Sequence, residues 1–209
     1  SLFTIPYSLF AQDTAGIEEV VVTAEKREQN LQDVPSSITV LSGSEMERDN
    51  FQNLMDLQAS IPSVVVGSAG ASRPFLFIRG IGSRKFDPGT EGAVGVFVDE
   101  VYNTRFTNSM MDIVDLERVE VLKGPQGTLY GRNSTTGLVN FIAAKPGADQ
   151  YLNIGAGQDG LSRFSFGRDF DISDTAMLRI AGTKMDRDGV IFNAGTGNDI
   201  DDQDSWGLR

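Results

Sequence analysis

Two rhythms divide the hydrophobic and polar positions of this chain. Up to residue 147, short apolar runs are broken by Gly, Pro, Asn and Asp, whereas from residue 150 on longer stretches alternate apolar with polar. In the first part, a Val-rich, β-prone run at residues 17–24 leads into a charged stretch ending at residue 30, and residues 37–41 alternate as a strand. Ser44 followed three residues later by Glu47 carries a capping-box signature, which predicts a short helix from that point. Residues 53–58 continue as a further helical turn or two with Leu54 and Leu57 on one face, and Pro62 stops it. A buried strand is predicted over residues 64–66, a strand from residue 73 into the Arg79-Gly80 turn, and another over residues 94–98. The chain is organised around residues 112–146. These read as a strand over 117–122, a turn at Gly124-Pro125, a loop punctuated by Gly127, Gly131 and Gly137, and a second strand over 138–143 closed by Lys145-Pro146-Gly147.

Beyond residue 150, Leu152, Ile154 and Ala156 fall on one face, with Asn153, Gly155 and Gly157 on the other. After a hairpin turn at Asp159-Gly160, Phe164, Phe166 and Phe170 oppose Arg163, Ser165 and Gly167. Ser173-Asp174-Thr175 turns the chain again, and Leu178 and Ile180 then oppose Arg179 and Thr183. The sequence contains no apolar run of about 18 residues, the length a membrane-spanning helix needs. Stretches of about ten residues that alternate apolar with polar between turns are instead the pattern of transmembrane β-barrel strands. The Gly- and Asp-rich residues 186–204 fit an external loop, and Trp206 opens a further strand at the interfacial aromatic belt.

Composition narrows the chemistry. Over 209 residues, 40% are apolar and 22% charged, enough for a buried core. Twenty-nine acidic against 18 basic residues give a net charge of −11, which argues against a nucleic-acid partner gripped through phosphates. Without Cys or His, disulfides, thiolate or imidazole metal sites and Ser-His-Asp triads are excluded. The opening SLFTIPYSLFAQ, with no initiator Met, reads as the back end of an export signal, with Ala11 as a cleavage point, or as an apolar tail.

Two motifs mislead. Gly155-Ala156-Gly157-Gln158-Asp159-Gly160 matches the dinucleotide fingerprint, yet the period-two alternation that follows predicts a hairpin where that motif needs a helix. Asp199, Asp201, Asp202 and Asp204 suggest a calcium loop but lack its Gly and terminal Glu. The loop after residue 124 also fails the phosphate-loop spacing, and no cofactor or metal is implied. Asp99-Glu100 and Asp112-Asp115 are the only candidates for a carboxylate-based glycan hydrolase, with no second feature to support them.

The stretch ERVEVLKGPQGTLYGRNSTTGLVNF, residues 117–141, resembles the diagnostic segment of the plug domain of TonB-dependent outer-membrane receptors, and other parts of the chain follow that family in order. The resemblance implies an α+β plug, a small mixed sheet with short helices, followed by the first antiparallel strands of a transmembrane β-barrel. The implied divisions are an export remnant at 1–16, a TonB box and linker at 17–29, the plug at 30–147 and the start of the barrel at 150–209. The box would comprise Glu19, Val20, Val21, Val22, Thr23 and Ala24, an extended segment that adds to a sheet of the periplasmic TonB domain. An ordinary first strand is the plainer reading of the same run. By the resemblance, Arg84, Lys85, Phe86, Tyr102 and Arg105 are candidate ligand contacts in outward loops. Arg79 and Arg132 are candidate plug-to-barrel contacts, each pairing with a carboxylate on the barrel wall.

Such receptors take up a scarce nutrient, commonly a ferric siderophore, across the outer membrane of Gram-negative bacteria. They close around 22 strands, so this chain is expected to be part of a longer one. A stand-alone periplasmic binding or signalling module built on the plug fold is the competing reading. It gives no reason for Phe164 and Phe166 to face outward.

Overall fold

The computed structural model describes residues 21–23, 27, 29–34, 36–49, 51, 54–68, 74–83, 92–103, 114–195, 197–200 and 202–209. Its centre is a five-stranded mixed sheet. The elements leading into it are β1 (Val21–Val22), β2 (Gln29–Asn30), β3 (Ser37–Ser42), α1 (Gly43–Arg48), α2 (Leu57–Ser60), β4 (Val64–Ser68), β5 (Pro74–Ile78) and β6 (Ile81–Gly82). Then come β7 (Val94–Val98), β8 (Val101–Tyr102), β9 (Leu116–Lys123), α3 (Gly127–Tyr130) and β10 (Gly137–Ala143). The sheet order is β3-β9-β10-β7-β8, with β10 parallel to β7 and the other pairs antiparallel. The central strand β10 is buried along its whole length, as its uninterrupted apolar sequence requires.

Each face of this sheet is covered differently. On one face Val119, Val121, Val139 and Phe141 pack against Leu57 and Ile61 and against the three-stranded sheet β4-β5-β6. On the other, Leu122, Leu138, Phe97 and Tyr130 pack against Val22 from the N-terminal segment. Burying each such side chain contributes about 1.5–3 kcal/mol.

Two local expectations shift. The capping box forms two residues earlier than Ser44–Glu47: Ser42 N–H donates to Glu45 Oε2 at 2.9 Å, and Glu45 N–H donates to Ser42 Oγ at 3.3 Å. Both pairs satisfy the motif, and a start at Gly43 places Met46 in the core. The strand over residues 64–66 is not buried throughout, because Val64 and Val66 face the core while Val65 points out, as period two demands.

From residue 151 a four-stranded antiparallel sheet follows: β11 (Tyr151–Ala156), β12 (Ser162–Ser173), β13 (Ala176–Arg187) and β16 (Gln203–Leu208), in that order. A two-stranded hairpin, β14 (Ile191–Asn193) with β15 (Asn198–Ile200), lies within the connection read from sequence as one external loop. The dinucleotide-like glycines occupy the β11–β12 hairpin, with Asp159 and Gly160 at φ 55° and 65°, the left-handed pair that a tight turn favours.

The alternation is realised in space. Leu152, Phe166 and Gly182 share one face with Leu208, through successive cross-strand pairs, and Asp169 with Arg179 lies on the other. On the first face Ile154 is 77% and Trp206 70% exposed. The second turns toward the mixed sheet.

Candidate functional site

Three places bear on function: the N-terminal segment, the tips of the plug sheet, and the seam between that sheet and the four-stranded wall.

Of the segment read as the TonB box, Glu19, Val20 and Ala24 lie outside the described residues. Val21 and Val22 form β1, antiparallel to Gln29 and Asn30. Val22 is fully buried. Thr23 is held at every polar atom: its N–H donates to Glu120 Oε1 at 2.8 Å, its hydroxyl donates to both Glu120 oxygens at 3.1 Å, and its carbonyl accepts from Tyr130 OH at 3.4 Å. Glu120 is itself buried in mid-β9 and accepts from Arg118 Nε at 2.8 Å. A carboxylate taken out of water needs this many donors. Beside it, Asn140 accepts the Glu100 N–H at 3.2 Å, while its Nδ2 has no hydrogen-bond partner among the described residues.

Among the candidate ligand contacts, Arg84, Lys85, Phe86 and Arg105 lie outside the described residues. Tyr102 is half-buried. Its hydroxyl accepts from Asn133 Nδ2 at 2.5 Å and its ring lies 5.4 Å from that of Phe97, which ties it into the cluster under the N-terminal segment.

Arg79 occupies a left-handed turn (φ 53°), is exposed, and donates to Ser37 Oγ at 3.1 Å. Arg132 is exposed in the turn after α3. Two ion pairs cross the seam with the carboxylate on the plug and the guanidinium on the wall, Asp115 with Arg179 and Asp99 with Arg209. Arg179, pointing inward from β13, uses all five of its N–H donors. Nε and Nη2 grip Asp115 at 2.6 and 2.9 Å, Nη1 reaches Asp169 on β12 at 3.1 Å and Ala148 O at 3.1 Å, and Nη2 also reaches Asp149 O at 3.0 Å. Only 5% of the Arg179 side chain and 2% of that of Asp115 is exposed. Such a buried, forked pair is specific in geometry. A side chain at Gly167 would put its Cβ 2.6 Å from the Tyr151 ring and 2.9 Å from Arg179 Nη2, so this glycine leaves room for the joint.

One further contact and one longer-range attraction join the two parts. Arg209 Nη2 donates to Asp99 Oδ2 at 3.0 Å, and the Asp56 carboxylate lies close enough to Arg163 for its charge to act on the guanidinium. Asp99 and Asp115 both hold left-handed backbone, φ 47° and 62°, which a non-glycine residue adopts at some cost. Sequence reading missed Asp115, Glu120 and Arg179 as joints. The available signals were a charge centred in a Val-rich strand, Val119-Glu120-Val121, and an arginine on the polar face of a barrel strand.

Comparison with known proteins agrees with this architecture. Residues 30–138 match the TonB-dependent Receptor Plug Domain family. The chain is 30% identical over 197 residues to the vitamin B12 transporter BtuB of Vibrio vulnificus, covering 90% of this chain and 31% of that protein. It is 29% identical over 172 residues to the ferrichrome outer membrane transporter/phage receptor of Escherichia coli, covering 80% of this chain and 21% of that one. Among solved structures, the ferric yersiniabactin uptake receptor FyuA of Yersinia pestis superposes with a TM-score of 0.68 at 28% identity, over 80% of this chain and 26% of that chain.

A mixed-sheet plug seated against an antiparallel wall with apolar residues outside defines an outer-membrane receptor fold, not an enzyme. The chain belongs to the TonB-dependent receptors of the Gram-negative outer membrane. It spans about a third or less of the length of these relatives.

Proposed function

We propose that this chain supplies the plug and the first wall strands of a receptor that takes up a scarce nutrient, a ferric siderophore being the foremost candidate, by energy-coupled rearrangement of the plug. The observation that carries this reading is the Arg179–Asp115 joint: a carboxylate of a compact sheet is gripped by an inward guanidinium of a wall whose opposite face is apolar and exposed. A water-soluble periplasmic module has no use for such an outer face. The edges of the wall, β11 and β16, need further strands to close in lipid, where unpaired backbone groups are costly.

In this reading residues 19–24 are the segment that pairs with a strand of the periplasmic TonB domain. Arg79 and Arg132 meet carboxylates of the closed barrel, and Arg84, Lys85, Phe86, Tyr102 and Arg105 contribute to the ligand side. Because Val22 and Thr23 are docked on the plug, coupling requires ligand binding to shift the equilibrium between docked and released forms.

The test is capture of the TonB periplasmic domain by a peptide covering residues 17–30, compared with the same peptide carrying Val21→Pro. Proline removes the N–H and disfavours strand addition, so its affinity should fall at least tenfold. Equal capture by both peptides overturns the assignment of the segment.

A further inference from the structure

One cation stands on the outer face of the wall where that face is otherwise apolar. Alternation along β12 puts Phe164, Phe166, Arg168 and Phe170 on this face, opposite Lys184, Gly182, Ile180 and Leu178 of β13 in turn. Lys184 pairs onward with Trp206, so the apolar band runs from the Phe164–Lys184–Trp206 row to the Phe170–Leu178 row, about 20 Å at about 3.4 Å of strand rise per residue. Arg168 is exposed within that band, two residues short of the Phe170–Leu178 row. Lys184, the other cation of this face, is held by Asp204. No carboxylate meets Arg168 among the described residues, and its neighbours Asp169 and Asp171 fall on the inner face.

The posture of the side chain shows where its charge goes. The guanidinium carbon lies 5.4 Å from the centroid of the Phe170 ring, which turns the side chain along the strand toward the Ser173–Ala176 turn. That end of the wall is closed by a short turn, whereas the other end holds the long connection with β14 and β15. Bacterial barrels keep short turns on the periplasmic side and long loops outside. The guanidinium therefore hangs at the periplasmic rim of the band, as a long cationic side chain does when its root lies in hydrocarbon. The anions at that depth are the phosphates of the inner leaflet. Above the guanidinium, the Phe166 ring lies across Gly182, where a Cβ would sit 2.7 Å from Phe166 Cε1, and its centroid is 5.8 Å from that of Phe164. With Ile180 beside it, this platform gives an acyl chain an apolar surface directly over the cation.

We propose that Arg168, seated on Phe170, binds the phosphate of an anionic phospholipid in the periplasmic leaflet, whose acyl chain lies on Phe166 and Ile180. The planar fork of a guanidinium matches two phosphate oxygens at once. An anionic lipid is favoured over a zwitterionic one, because this patch offers no carboxylate to receive an ammonium group. The site is independent of the cargo and of the N-terminal segment.

The experiment is native mass spectrometry of the full-length receptor in detergent, titrated with palmitoyl-oleoyl phosphatidylglycerol, the matching phosphatidylethanolamine, or the matching diacylglycerol. Arg168→Gln should weaken the tightest phosphatidylglycerol site at least fivefold and leave diacylglycerol binding unchanged. The wild-type receptor should hold phosphatidylglycerol at least threefold more tightly than phosphatidylethanolamine. Lys184→Gln, at the opposite rim of the band, is the control and should match the wild type. Heat-modifiable gel migration confirms that each barrel has assembled. Equal phosphatidylglycerol affinity in the wild type and Arg168→Gln would overturn the site, and equal wild-type affinity for the two phospholipids would overturn the anionic class. Should Arg168→Gln not assemble, Phe170→Leu decides: it keeps the charge but removes the ring that seats it, and an unchanged phosphatidylglycerol affinity would overturn the site as well.

Discussion

Glu120 and Thr23 stand 97 positions apart in sequence, yet the Glu120 carboxylate binds both the backbone N–H and the hydroxyl of Thr23. The contact joins the N-terminal segment to β9, the strand whose first residues adjoin the Asp115–Arg179 joint. The docked segment and the seam are therefore tied to one and the same strand.

Replacing Glu120 with Gln keeps the shape but removes the charge from its bonds to Thr23 and Arg118. Charge-assisted bonds contribute about 1.5–3 kcal/mol, so the loss of charge should cost about 1–2 kcal/mol of docking. Exchange of the Thr23 amide in the intact receptor should quicken about tenfold, since a tenfold change corresponds to about 1.4 kcal/mol. Unchanged protection would mean that Val22 packing alone holds the segment.

Arg179→Ala strands Asp115 and Asp169 in a buried setting without their cation. Breaking one side of a buried pair costs about 3–5 kcal/mol, and the plug should melt earlier within the receptor by that margin. Arg179→Lys should recover only part of it, because an ammonium cannot supply the fork or reach all five acceptors. Calorimetry of the three proteins decides.

The glycines of the central stretch are not equivalent. At Gly137, φ is 144° and a Cβ would sit 2.3 Å from Leu122 O, so Gly137→Ala should destabilise the plug by about 2–4 kcal/mol. Gly127 opens α3 with no atom within 4 Å of a built Cβ and no left-handed backbone, and Gly127→Ala should change stability by less than about 1 kcal/mol. Urea titration of both variants measures the contrast.

Phe166 pairs across the wall with Leu152 and Gly182 on the outer face. Phe166→Arg places a charge in hydrocarbon near mid-strand and should cost about 2–4 kcal/mol, seen as a lower yield of folded barrel in lipid vesicles. A soluble domain would gain solubility from the same change, so the direction separates the two classes of protein.

Burial, and after it the positive charge of Arg79, pulls the Lys123 ammonium below the usual lysine range. The folded state therefore binds this proton less tightly than the unfolded chain, and stability rises with pH through the interval between the lowered value and the ordinary one. Lys123→Gln should abolish that alkaline gain, and plug melting followed from neutral to alkaline pH reads the difference.

Much of the architecture was legible because it follows from local periodicity. The period-two runs placed β9 and β10 within a residue, whereas β12 runs three residues further and β16 begins three residues earlier than read, and the phenylalanines of β12 declared which side of the wall is exposed. The capping box was ambiguous, since Ser42–Glu45 and Ser44–Glu47 both satisfy the motif and only the burial of Met46 chooses between them. The Asp115–Arg179 joint was illegible. Asp115 and Arg179 are 64 residues apart, and nothing in either neighbourhood names the other. Arginines beside turn glycines drew attention through their position, whereas the residues that grip each other are an aspartate in a left-handed turn and an arginine inside an alternating strand.

A strand that reads Val119-Glu120-Val121 can hide its charge only while donors crowd round it, and two of those donors sit on Thr23. Undocking of the leading segment is therefore resisted from within the sheet as well as at the surface it leaves, since the interior would be left holding an anion short of its partners.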